Sequence, residues 1–290
     1  MRWRGGRQSG NVEDYRGRSS GIGGGIKFGG GAIVALVAAY FLGVDPRLIM
    51  GLMSGVDSGG QQAPAPAGGV QTIGRADDET AQFVSVVLAD TEDTWSALFA
   101  QANAQYVAPK LVLFDDGVQS GCGAASANVG PFYCPADQKA YIDLSFYREL
   151  SDRFQAPGDF AQAYVLAHEI GHHVQNLLGT SGEVHSRQQH VGEAEGNALS
   201  VRLELQADCY AGIWAHHANR SRQILEQGDV EEALGAAAAV GDDTIQRRTR
   251  GEVVPDSFTH GSADQRQRWF RTGLDEGAIE ACDTFASAKL

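Results

Sequence analysis

No Cys-x-x-Cys pair occurs in the sequence, although it holds four cysteines, Cys122, Cys134, Cys209 and Cys282. A zinc knuckle or a thioredoxin-like redox motif is thereby excluded. No internal repeat is visible, so the chain is not read as a repeat array. Basic residues are scarce beyond position 27. Residues 1–27 hold six of the 23 Lys and Arg and two of the 36 Asp and Glu, leaving 17 basic against 34 acidic residues in the rest. Phosphate binding needs clustered Lys and Arg, so nucleic acid is excluded as a partner of the main part. Hydrophobic content of 43% and charged content of 20% are ordinary, and 290 residues suffice for a sizeable core.

Residues 1–27 are basic and rich in Gly and Ser, without hydrophobic period, and predict a disordered tail. Phe28 to Val44 carries no charge and is closed by Asp45, Pro46 and Arg47. Its length sits at the short end of what crosses a bilayer. Three readings compete: a transmembrane anchor, a cleaved signal peptide and a buried core helix. The second lacks a small-x-small site close behind the run, since Ala63-Pro64-Ala65 lies too far downstream. The third suits poorly a run that is apolar on all faces between polar segments. The anchor is preferred. The basic flank then predicts a single-pass inner-membrane protein, with a cytoplasmic N-terminus and a periplasmic or extracellular main domain. Residues 45–76 read as a flexible linker and 77–290 as the folded domain.

That domain opens with a helix capped by Asp78. Lys110–Phe114 reads as a strand, and 117–135 is turn-rich. Tyr141–Phe146 alternates, predicting a half-buried strand that could lie along a substrate or sit inside a sheet. From Asp159 onward the pattern is helical, so the fold class is α+β.

The strongest signal is His168-Glu169-Ile170-Gly171-His172, an HExxH motif. Pro157, Gly158 and Asp159 start its helix, and Gly179 stops it. Positions i and i+4 share a helix face, so both imidazoles can meet one Zn²⁺ ion, while Glu169 is turned away and free to act as a base. The competing reading is a surface pair of histidines. A later, mostly apolar helix, Asn197–Ala215, carries Glu204 and Asp208 at i and i+4. Carboxylates rarely enter such a helix unpaired. Glu204 would be the third ligand, and Asp208 would accept a hydrogen bond from a ligand imidazole. Alternatively, both pair with Arg202 or Arg187. Another divalent metal would also fit these ligands.

A zinc hydrolase needs a donor for the developing oxyanion. His260, just before a helix capped by Ser262, and Arg266, one turn inside it, are the candidates. Otherwise they are an exposed histidine and a salt-bridged arginine. His173, His185, His190, His216 and His217 read as structural or solvent-facing. In an oxidising compartment Cys122 and Cys134 pair across a short loop, and Cys209 and Cys282 pair by elimination. Cys209 could instead be simply a buried helix residue.

HExxH followed by Glu204-x-x-x-Asp208 resembles the gluzincin peptidases. More closely, His168 to Gln175, Arg202 to Cys209 and Thr259-His260-Gly261-Ser262 resemble the bacterial neutral zinc metallopeptidases of the YpfJ type. Thr259-His260 with Arg266 is also similar to the Thr-His-Pro…Arg segment of the HtpX-like and prenyl-protein-processing membrane zincins, with Gly261 in place of Pro. The resemblance implies a membrane-tethered, zincin-like domain. The expected function is hydrolysis of peptide bonds in proteins or peptides, with one Zn²⁺ ion on His168, His172 and Glu204. The alternative is a membrane-tethered zinc-binding scaffold without catalysis.

Overall fold

Strand β1 (Val12–Asp14) pairs in parallel with a strand about a hundred residues later in the chain, β2 (Lys110–Phe114). The computed structural model describes residues 1–17, 78–126 and 129–290. The anchor expected at 28–44 and the linker at 45–76 lie outside them. Among the described residues no helix is long and apolar enough to cross a membrane.

The expectation of a disordered tail is corrected for residues 1–17. Their arginines meet acids, most of them in the main domain. Arg4 pairs with Glu79, Arg7 with Glu92 and Asp93, and Arg16 with Asp14 and Asp78. Ser9 and Asn11 both donate to the buried Glu92 carboxylate. Polar contacts thus order a stretch whose composition alone buries too little. The chain on both sides of the apolar run therefore belongs to one body.

Helix α1 (Glu79–Gln101) starts where the Asp78 side chain accepts the backbone N–H of Ala81. After β2 come the hairpin β3 (Gly117–Ser120) and β4 (Gly123–Ser126), then β5 (Phe132–Cys134) and β6 (Lys139–Asp143). The main sheet has the order β1-β2-β6-β5, parallel except for β5, which is antiparallel to β6 at the edge. The alternation over Tyr141–Phe146 misleads in two ways. The strand ends at Asp143, and Ser145–Asp152 forms helix α2. Both faces of β6 are buried, because Tyr141 packs with Val112, Phe114 and Cys134 on the side away from the main core. β6 is interior, and the sheet's two edges are β1 and β5.

The helical part follows: α3 (Asp159–Leu177), α4 (Thr180–Gln188), α5 (Glu193–Arg222), α6 (Asp229–Ala239), α7 (Asp242–Arg250) and α8 (Ala263–Glu276). This is the expected α+β architecture, a small sheet followed by a mainly helical part. Helix α5 lies centrally, against both α3 and α8. At Gly273 the α8 backbone comes so close to Cys209 of α5 that a Cβ would overlap its carbonyl. Disulfides join Cys122 to Cys134 and Cys209 to Cys282. The first ties the hairpin to the end of β5, and the second ties the C-terminal segment to α5.

Candidate metal centre

Helix α3 presents His168 and His172 on one face, with ring centroids 4.7 Å apart. Gly171 lies between them, and a Cβ there would stand 2.9 Å from the carbonyl oxygen of Ala207. Glycine therefore lets α5 approach closely enough for Glu204 to reach both rings. Glu204 Oε2 lies 3.1 Å from His168 Nε2, and Oε1 lies 3.4 Å from His172 Nε2. One donor atom from each of these three residues falls within 4.8 Å of the others.

Each imidazole is also held through its other nitrogen. His168 Nδ1 is 2.8 Å from Asp208 Oδ1. Asp208 is fully buried and further accepts the Tyr164 hydroxyl at 2.5 Å and both Nε and Nη2 of Arg266, at 2.8 and 2.9 Å. Burial alone would raise the Asp208 carboxyl, but Arg266 and His168 hold it down at about 2. His172 Nδ1 is 2.9 Å from Gln175 Oε1. Gln175 is buried, and its amide donates to the Leu203 carbonyl and the Gln206 side chain on α5. With both Nδ1 atoms occupied, the two Nε2 atoms are left to converge with Glu204. Two imidazole nitrogens and a carboxylate oxygen are a donor set that suits Zn²⁺.

Glu169 is buried beside this cluster and lines a cavity of about 980 Å³ together with His168, His172, Glu204 and His260. Burial pushes its carboxyl above the ordinary value, with His172 and His168 pulling the other way. A raised carboxyl is better matched to exchanging protons near neutral pH.

His260 reaches the cavity from the loop before α8, where Ser262 and Gln265 form a capping box. Asp242 fixes that loop. Its Oδ2 accepts the backbone N–H groups of Thr259, His260 and Gly261, and its Oδ1 lies 3.3 Å from His260 Nδ1. Gly261 has φ +95°, a conformation glycine adopts without a side-chain penalty. Arg266 also lines the cavity, while its polar contacts are taken up behind His168. Its guanidinium forks onto Asp208, on the Nδ1 side of His168.

His173 is also buried, with Nδ1 3.0 Å from the Tyr133 hydroxyl and Nε2 2.6 Å from the Val107 carbonyl. It ties the edge strand β5 to the metal-motif helix. His216 and His217, on α5, contact the carbonyls of Leu274 and Gly277. His185 lies on α4 and is exposed, as is His190. Neither Gln175 nor Asp242 is singled out by sequence reasoning. The only hint of the first is its place one turn beyond His172.

The family model described as "Putative neutral zinc metallopeptidase" matches residues 1–285. The chain belongs to this family. It is 49% identical to the protein YpfJ of Escherichia coli K12, over 99% of this chain and 100% of that protein. It is 42% identical to Mb2605 of Mycobacterium bovis and to Rv2575 of Mycobacterium tuberculosis, over 87% of this chain and 86% of theirs. No solved structure matches it. The family match reaches back to residue 1, as does the fold, in which β1 completes the sheet beside the metal helix.

Proposed function

We propose that this family member hydrolyses peptide bonds, with one zinc ion held by His168, His172 and Glu204. The observation that carries the reading is the convergence of those three donors on the wall of a large cavity, with Glu169 buried beside them. When bound, zinc supplies Lewis acidity toward the scissile carbonyl. Glu169 takes a proton from the attacking water and returns it to the leaving amine. His260, oriented by Asp242, donates a hydrogen bond to the oxygen on which charge develops. Asp208 and Gln175 hold the two imidazoles in the orientation that leaves Nε2 toward the centre. Arg266 acts through Asp208, as a positioning residue.

The substrate is an extended polypeptide segment lying along β5. That strand is one of the two sheet edges, and its Phe132 and Tyr133 line the same cavity. Backbone pairing with an edge strand binds many sequences, with pockets selecting side chains. A zinc-binding scaffold is the weaker reading. Structural zinc sites usually take four protein ligands, and the cluster among the described residues offers three. The two disulfides suit an oxidising compartment, and we place the body there together with its first 17 residues. Any membrane contact of residues 28–44 then leaves both flanks on the same side.

The test compares the full chain with Glu169→Gln for zinc content and hydrolysis of unfolded casein. The full chain is required, because a fragment starting in the linker would lose β1. Equal zinc in both, with the variant slower by about 10²–10⁴-fold, is the expected result. Equal hydrolysis by both would remove Glu169 from the mechanism.

A further inference from the structure

Helix α7 begins at the metal centre and runs along its cavity. Asp242, the first residue of the helix, holds the His260 loop, and Asp242, Ile245, Gln246, Arg248, Thr249 and Arg250 all line the cavity. Gln246 ties the helix to the segment that leads to His260. Its Oε1 accepts the Val254 N–H at 2.8 Å, and its Nε2 donates to Ser257 Oγ at 2.9 Å. This wall is therefore fixed near the metal centre and again toward its far end.

The last turn of α7 carries three arginines, Arg247, Arg248 and Arg250. Cations suit the carbonyl end of a helix, which accounts for their place in the sequence but not for the way they face. Arg247 points outside the cavity and lies 3.6 Å from Asp243. Arg248 and Arg250 line the cavity and have no ion-pair partner among the described residues, although residues 28–290 hold 34 acidic against 17 basic residues. The acids that share the cavity are committed elsewhere. Glu169 and Glu204 belong to the metal centre, Asp242 accepts three backbone N–H groups, and Glu149 lies 3.8 Å from Arg153. A segment entering with a carboxylate thus meets two guanidinium groups, each able to bind it through two parallel N–H bonds. Along the helix axis Arg248 and Arg250 lie about 9 and 12 Å beyond Asp242. An extended polypeptide covers that distance in about three or four residues.

We propose that Arg248 and Arg250 are specificity-determining residues, which select substrate segments carrying a carboxylate about three or four residues from the bond that is cleaved. The inference rests on the peptide hydrolysis proposed above. The carboxylate comes from an Asp or Glu side chain or from the C-terminus of a peptide.

Two measurements on the zinc-loaded full chain test this. The first is cleavage of a library of synthetic peptides, prepared with free and with amidated C-termini, the cut sites being read by mass spectrometry. The readout is the ratio of Asp and Glu to Asn and Gln at each distance from the cut. Wild type is expected to favour the acids by about three- to tenfold at the stated distance, and Arg248→Ala with Arg250→Ala to show no preference. Arg248→Glu with Arg250→Glu should favour Lys and Arg instead, whereas Arg247→Ala should keep the wild-type ratio. A preference in both peptide sets assigns the site to side chains, and one confined to free C-termini assigns it to the peptide terminus. The second measurement is an anisotropy titration of Glu169→Gln with labelled Ala-Gly peptides that carry a pair of Glu or a pair of Gln. The Glu peptide is expected to bind about three- to tenfold more tightly, by a margin that shrinks as NaCl rises from about 0.05 to 0.5 M. The same ratio in wild type and in the charge-reversed chain, or equal binding of the two peptides, would overturn the proposal. Cleavage without acid preference would remove the selectivity and leave the hydrolysis standing. Charge-selective binding with no peptide cut by wild type would remove the hydrolysis and leave Arg248 and Arg250 as the carboxylate site.

Discussion

The two imidazoles of the metal centre are backed by opposite chemistry. Behind His168 stands a buried ionic group, Asp208 with Arg266, joined by the Tyr164 hydroxyl. Behind His172 stands a neutral amide chain, in which Gln175 bonds to Gln206 and Gln206 to the Cys282 carbonyl. Both arrangements fix a ring through Nδ1. Only the first does so with charge, and it cancels that charge locally by pairing Asp208 with Arg266. A buried carboxylate without a cation would be costly, whereas an amide needs only its hydrogen bonds. The difference shows how a buried site can carry Glu169 and Glu204 toward its centre without adding a further unpaired acid behind them.

The comparison predicts unequal damage. Asp208→Ala strands the buried Arg266 and should cost about 3–5 kcal/mol of stability, read by urea unfolding. The same change should weaken zinc binding by about 10–100-fold in a competition titration. Gln175→Leu removes the hydrogen bonds to His172, the Leu203 carbonyl and the Gln206 side chain, a cost of about 1–3 kcal/mol. Its effect on zinc affinity should lie near the lower end, about tenfold. Equal losses from the two replacements would break the distinction between the arms.

Acid sharpens it further. The Asp208 carboxyl is held at about 2, below its unfolded value, so its contribution is complete above about pH 4 and is lost as pH falls toward 2. That loss should amount to on the order of 2 kcal/mol and should persist in Gln175→Leu, which leaves the ionic arm intact. Asp208→Asn should lack it. An unchanged acid limb in Asp208→Asn would assign the loss to other carboxylates.

Much of this arrangement is legible in the sequence, because helical periodicity is a strong constraint. His168 and His172 on one face, and Glu204 and Asp208 on one face of a later helix, follow from i, i+4 spacing. The close crossing that joins the two faces is signalled only by Gly171. The partner of Asp208 was harder to read, because a helix-start arginine fits a substrate-facing role as well as a buried one, and only the packing of α8 on α5 decides. Strand β1 left no pattern: Val12 is its single apolar residue, and its partner strand is remote in the chain. Arg4, Arg7 and Arg16 of the basic stretch pair with Glu79, Glu92, Asp93 and Asp78, partners that composition alone does not indicate. Gln175 was invisible as a supporting residue because glutamine on a helix is ordinary.

The most direct measurement is zinc stoichiometry of the full chain after chelation and reloading, compared with the double replacement His168→Ala and His172→Ala. The account predicts about one zinc per wild-type chain and none retained by the variant, with the fold intact by circular dichroism. Equal zinc in both would contradict it, since the metal would then be held elsewhere than by the HExxH helix.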